Sequence, residues 1–111
     1  MSYHIRYSSS DDIILDGVIH EVDNPKAVVL MLHGINSDKD EEGLYIKLSK
    51  KLMEEDFNIF RFDFRSHGLS TGKQKYVTID GETEDVLYSL KLINKKWNLP
   101  VVIVAASFGA V

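Results

Sequence analysis

Val101-Val102-Ile103-Val104-Ala105-Ala106 places six apolar residues in a row, the first four of them β-branched. A strand with one wet face must alternate apolar and polar residues, so an unbroken run fits a strand buried on both sides. That is the setting of a parallel sheet covered by helices. Ala27-Val28-Val29-Leu30-Met31-Leu32 is a second such run, and Phe57-Asn58-Ile59-Phe60-Arg61-Phe62 reads as a third strand.

The segments between these runs change period. From Glu41 to about Asp56, Leu44, Leu48 and Leu52 fall at i, i+4 and i+8, with Tyr45 and Met53 widening the stripe, which predicts a helix. Asp38, Asp40, Glu41 and Glu42 crowd its start and Lys47, Lys50 and Lys51 follow, in the sense the helix macrodipole favours. A second helix is predicted over roughly Gly81 to Trp97, with Val86, Leu87, Leu90, Ile93 and Trp97 on one face. Asp80 is its expected N-cap, and Asn98 and Pro100 stop it. Ahead of all this, His4 to Tyr7 and Ile13 to Val22 read as an antiparallel hairpin around the polar turn Ser8–Asp12. Strands alternating with helices of this length give an α/β class with right-handed crossovers.

The last strand runs into Ala105-Ala106-Ser107-Phe108-Gly109, a small-x-Ser-x-Gly pattern. This is the sharp strand-to-helix turn known as a nucleophile elbow, whose tight backbone demands small residues two before and two after the serine. It would lift the Ser107 hydroxyl above the sheet, with the N–H groups of the next helix facing it, where negative charge is favoured. The plain alternative is a buried strand ending in an ordinary turn with Ser107 as an N-cap.

Two further polar loops, His33-Gly34-Ile35 and Asp63 to Ser70, also fall at the carboxyl ends of predicted parallel strands. In open α/β sheets that edge binds ligands. Leu32-His33-Gly34-Ile35, Phe62-Asp63-Phe64-Arg65-Ser66-His67-Gly68-Leu69-Ser70 and Ala106-Ser107-Phe108-Gly109 resemble, in order and spacing, three successive signposts of the α/β-hydrolase superfamily. More narrowly, the chain is similar to the serine esterase, monoacylglycerol lipase and serine aminopeptidase-like branch, which includes bacterial cinnamoyl and feruloyl esterases. The resemblance spans nearly the whole chain. Ala105 departs from the usual glycine, and Asp56 stands where a helix-ending glycine is common, though Asp tolerates the left-handed conformation.

The resemblance implies that residues 1–111 are the N-terminal portion of a single α/β-hydrolase domain, an antiparallel hairpin followed by parallel strands with crossover helices, truncated after the elbow. It implies Ser107 as a nucleophile attacking an acyl carbonyl, with the backbone N–H groups of Ile35 and Phe108 forming the oxyanion hole. Gly34 suits a backbone that must approach a reacting oxygen, and Gly109 belongs to the elbow. His33 and His67 precede the serine, whereas this superfamily orders its triad as serine, acid, histidine. They are therefore expected to shape loops, as is Asp63, which is expected to bond loop backbone. The triad acid and base would follow Val111, so the 111 residues alone are expected to be inactive. The strand 101–106 would need the remainder of the domain to cover its edge.

The expected activity is thus serine hydrolysis of a carboxylic ester through an acyl-enzyme, without cofactor or metal. Thioesterase, acyltransferase, lipase and aminopeptidase chemistry share the same elbow. Phe108 and the neutral loops favour an apolar or aromatic acyl group. The alternative is a hydrolase-like binding or interaction module without catalysis, and a flavodoxin-like domain fits the class but not the serine turn.

Other classes fit poorly. A net charge of −4 without a basic run excludes an ordinary nucleic-acid binder, and there is no cysteine for disulfides or thiolate metal sites. Gly68-x-x-x-Gly72-Lys73-Gln74 is one residue short of a phosphate loop and lacks its Ser or Thr. His4 and His20 have no partner at metal-ligand spacing. No apolar run approaches the roughly 20 residues of a membrane span, and the start of the sequence has no signal-like pattern, so a cytoplasmic setting is expected.

Overall fold

The three apolar runs become three neighbouring parallel strands at the centre and edge of one sheet. The structure is a computed structural model that describes residues 1–106; Ser107, Phe108 and Gly109 lie outside the described residues. Strands β1 (Ser2–Ser8), β2 (Ile14–His20), β3 (Ala27–Leu32), β4 (Phe57–Phe62) and β5 (Val101–Ala105) line up in the order β1-β2-β4-β3-β5. β1, β2 and β4 pair antiparallel in turn, and β4, β3 and β5 run parallel. The hairpin followed by parallel strands is the expected architecture.

Helices α1 (Leu44–Glu54) and α2 (Ile79–Lys96) cover opposite faces. Val28, Leu30 and Leu32 pack with Phe60, Phe62, Phe64 and Ile93 on the α2 side, while Val29 and Met31 pack with Ile59 and Tyr45 on the α1 side. Successive strand residues point to opposite faces, so a strand with helix on both sides must be apolar at every position. β3 is buried throughout. β5, at the sheet edge, leaves Val102 and Ile103 about half exposed.

The helices begin and face differently from expectation. The residues Glu41–Gly43 form a separate 3₁₀ turn, and α1 starts at Leu44 behind Gly43 with φ of 89°. The acidic residues therefore precede the helix, and Glu41 turns back to accept the Gly34 N–H. Tyr45 rather than Leu44 meets the sheet, because its hydroxyl donates to the Leu32 carbonyl at 2.7 Å; Leu44 is left exposed. The N-cap of α2 is Thr78, not Asp80: the Thr78 hydroxyl accepts from Gly81 N–H, and Asp80 sits in the first turn beside the positive end of the dipole. Leu87 is exposed, since the buried face of α2 runs through Gly81, Glu82, Asp85, Ser89 and Ile93. Asp56 does adopt the left-handed conformation, with φ of 68°.

Candidate active site

At the carboxyl end of β3 the chain enters His33 with a buried ring. Its Nδ1–H donates to the Gly34 carbonyl (2.8 Å), and its Nε2 accepts the Phe64 N–H (3.0 Å). Both ring nitrogens are thus occupied, which fixes the neutral tautomer. Burial pushes its pKa below the ordinary value, with the Gly34 bond opposing. Gly34 N–H donates to the Glu41 carboxylate at 2.6 Å. The next amide, Ile35 N–H, has no acceptor among the described residues, and the Ile35 side chain is exposed.

At the end of β4, Asp63 is fully buried and collects three donors. Lys39 gives its backbone N–H to Oδ1 and its ammonium to Oδ2, both at 2.7 Å, and Leu69 N–H reaches Oδ2 at 2.9 Å. Burial alone would lower the Lys39 pKa, but the carboxylates of Asp63 and Asp16 raise it above the ordinary lysine value. The loop closes over Asp63 through Gly68, whose φ is 49°. A Cβ there would lie 2.3 Å from the Asp63 carboxyl carbon, so only glycine fits.

His67, further along this loop, donates Nδ1–H to the Arg65 carbonyl at 2.9 Å and packs against the His33 ring at 5.1 Å between centroids. The Arg65 guanidinium is spent on Asp85, Ser10 and Asp11. The loops after β3 and β4 and the start of α2 then enclose a cavity of about 250 Å³ whose walls include Gly34, Ile35, Phe64, His67, Val77 and Glu82. Glu82 is only 9% exposed, and its carboxyl has no hydrogen-bond partner among the described residues. Burial raises its pKa, with His67 opposing.

The parallel register sets Leu32 beside Ala105, and Ala106 N–H donates to the Leu32 carbonyl at 3.2 Å. The structure therefore brings His33, Gly34, Ile35, Asp63 and His67 to one sheet edge, and the described chain ends on the same edge, one residue before Ser107. Three side chains there escaped the sequence reading: Glu41, Lys39 and Glu82. Only Glu82 left a signal, as a polar residue four positions before Val86 on the helix stripe. Among the described residues no group of three or more His, Cys, Asp or Glu is placed to hold a metal ion, and no helix is long and apolar enough to cross a membrane.

A mixed sheet with two helix-covered faces, carrying its polar loops at the carboxyl ends of the parallel strands, is an α/β-hydrolase architecture. The sequence profile of the family described as serine aminopeptidase, S33, matches residues 23–111, and the chain belongs to that family of α/β hydrolases. No protein of curated function matches it. Among solved structures, the esterase Pf2001 of Pyrococcus furiosus is similar at 29% identity and a TM-score of 0.82, over 99% of this chain and 44% of that one. Est1E from Butyrivibrio proteoclasticus, solved with bound ferulic acid, shares the fold at 20% identity and a TM-score of 0.82, over 95% and 43%. The α/β hydrolase GrgF from Penicillium sp. sh18 shares it at 16% identity and a TM-score of 0.86, over 98% and 38%. The chain spans less than half the length of each of these three structures.

Proposed function

We propose that the full-length protein is a serine hydrolase of carboxylic esters that works through an acyl-enzyme on Ser107. One observation carries the reading: the Ala106–Leu32 backbone bond at 3.2 Å, which ties the approach to Ser107 to the strand that delivers Gly34 and Ile35. Ser107 Oγ would attack the acyl carbon, passing its proton to a histidine base, and the carbonyl oxygen would take up negative charge between the Ile35 and Phe108 N–H groups. Collapse expels the alcohol, which leaves with that proton; water then attacks the acyl-enzyme and releases the acid and free serine. That the Ile35 N–H lacks an acceptor among the described residues supports its part in this. His33 is unsuited to be the base because both its nitrogens are engaged. The acid and base are assigned to chain beyond Val111, which would also cover the exposed Val102 and Ile103 of β5.

The test uses the full-length protein, a fluorophosphonate probe and a p-nitrophenyl ester. Labelling and turnover that both vanish in Ser107→Ala are expected. A wild-type protein that neither labels nor turns over would favour a binding module with hydrolase-like loops and overturn the proposal.

A further inference from the structure

The Glu82 side chain is largely buried, makes no hydrogen bond among the described residues and borders the cavity beside Ile35. A carboxyl that spends no hydrogen bond on its own fold is available to a ligand in that cavity. The cations that could pair with it are engaged elsewhere. Arg65 gives Nε and Nη2 to Asp85 at 2.9–3.2 Å and its remaining reach to Ser9, Ser10 and Asp11. Lys39 is held by Asp63 and Asp16. His67, on the same cavity wall, has its Nδ1 committed to the Arg65 carbonyl, so only its Nε2 edge remains.

We propose that Glu82, with His67 lining the same cavity, is a specificity-determining pair that receives a hydroxyl group of the ester substrate. This rests on the hydrolase reading above. A hydroxyl both donates and accepts, so one such group can serve the Glu82 carboxyl and the free His67 edge together. The rest of the wall agrees: Asn36 and Gln74 are neutral hydrogen-bonding groups, joined at 3.3 Å, while Ile35, Phe64, Val77 and Ile79 are apolar. A compact, mostly apolar cavity with a few convergent polar groups suits a small hydroxylated chain. Burial raises the Glu82 pKa, with His67 opposing, and the amino ester is the arm that separates an ammonium from a hydroxyl.

The experiment compares kcat/KM for matched esters in the full-length wild-type, Glu82→Leu and Glu82→Gln proteins. One pair differs by a hydroxyl in the acyl chain (p-nitrophenyl butanoate and 3-hydroxybutanoate), the other in the alcohol (propyl and glyceryl butanoate). The 3-aminobutanoate ester forms a third arm. The wild type should favour the hydroxylated member of at least one pair. Glu82→Leu should cut that preference about 10–100-fold and Glu82→Gln by less, because the amide still hydrogen-bonds. Both rates come from the same molecules, so a loss of folded protein cancels in the ratio. If Glu82→Leu does not fold, a drop of about threefold or more in Glu82→Gln carries the test. An active wild type with no hydroxyl preference, an unchanged ratio in the variants, or preference for the amino ester overturns this inference alone. A wild type inert to every ester and to the fluorophosphonate probe overturns the hydrolase reading, and this one with it.

Discussion

The loops that leave β3 and β4 start side by side on adjacent parallel strands and solve the same problem in opposite ways. Both must satisfy backbone N–H groups at a place where the sheet ladder stops. The loop after β4 solves it internally: Asp63 takes in the Lys39 and Leu69 amides and the Lys39 ammonium, and Gly68 closes above it. The loop after β3 leaves part of it open. Glu41 holds the Gly34 amide, Asn36 turns through a left-handed conformation with φ of 58°, and the Ile35 amide finds no acceptor among the described residues. One loop is a strut; the other presents a donor at the rim of a cavity. Stability and reactivity are thus assigned to different strand ends, and substitutions should separate them.

The largest effect is expected at Asp63. Asp63→Ala removes the buried acceptor of the Lys39 and Leu69 amides and leaves the Lys39 ammonium with Asp16 alone, at 3.0 Å, which costs about 3–5 kcal/mol of stability. The urea unfolding midpoint of the full-length protein measures it; a loss under about 1 kcal/mol would show that the loop does not depend on this ion pair. Next comes Ile35. Replacing its amide by an ester through semisynthesis deletes the N–H and keeps the side chain. Under the proposed mechanism kcat falls about 10²–10³-fold, while the unfolding midpoint stays near wild type because no folded partner is lost. A large loss of stability with little change in rate would reverse the roles given to the two loops.

How far the sequence disclosed this division depends on which interactions repeat along the chain. The two-sided burial of β3 follows from its uninterrupted apolar run, and the bounds Ala27–Leu32 and Phe57–Phe62 were legible to the residue, whereas the strand order is set by pairings between distant segments. The bounds of α1 were not, because leucine spacing cannot tell that the Tyr45 hydroxyl reaches the Leu32 carbonyl and turns Leu44 outward. Of the site, His33, Gly34, Ile35, Asp63 and His67 were visible as loop residues at strand ends. Their partners were not: Lys39 lies 24 positions from Asp63, and Glu41 bends back seven to Gly34. Such pairings are made by loop conformations with no periodic trace, several of them left-handed at Asn36, Glu41 and Ser66.

The smallest effect, and the one that joins the two regions, belongs to His33. It is the bolt between the loops, donating to Gly34 on its own side and accepting Phe64 N–H from the other. A protonated ring cannot accept that N–H. Burial sets the His33 pKa below its ordinary 6.5; the Gly34 bond opposes this, nearby His67 adds to it, and Asp63 and Glu41 oppose it. Because the folded value lies below the unfolded one, the unfolded chain takes up a proton first as pH falls. The stability that His33 contributes is present above about pH 6.5 and is lost progressively below it. His33→Gln should cost about 1–2 kcal/mol near pH 8, where the Phe64 amide loses its acceptor, and should flatten the fall in stability between about pH 7 and pH 5. His20, lowered to about 4 chiefly by burial, adds a slope of its own in the same direction, so His20→Gln measured in parallel separates the two. If His33→Gln keeps the full wild-type slope, the loops are not coupled through this ring, and the open amide at Ile35 is held by Glu41 and the β3 backbone alone.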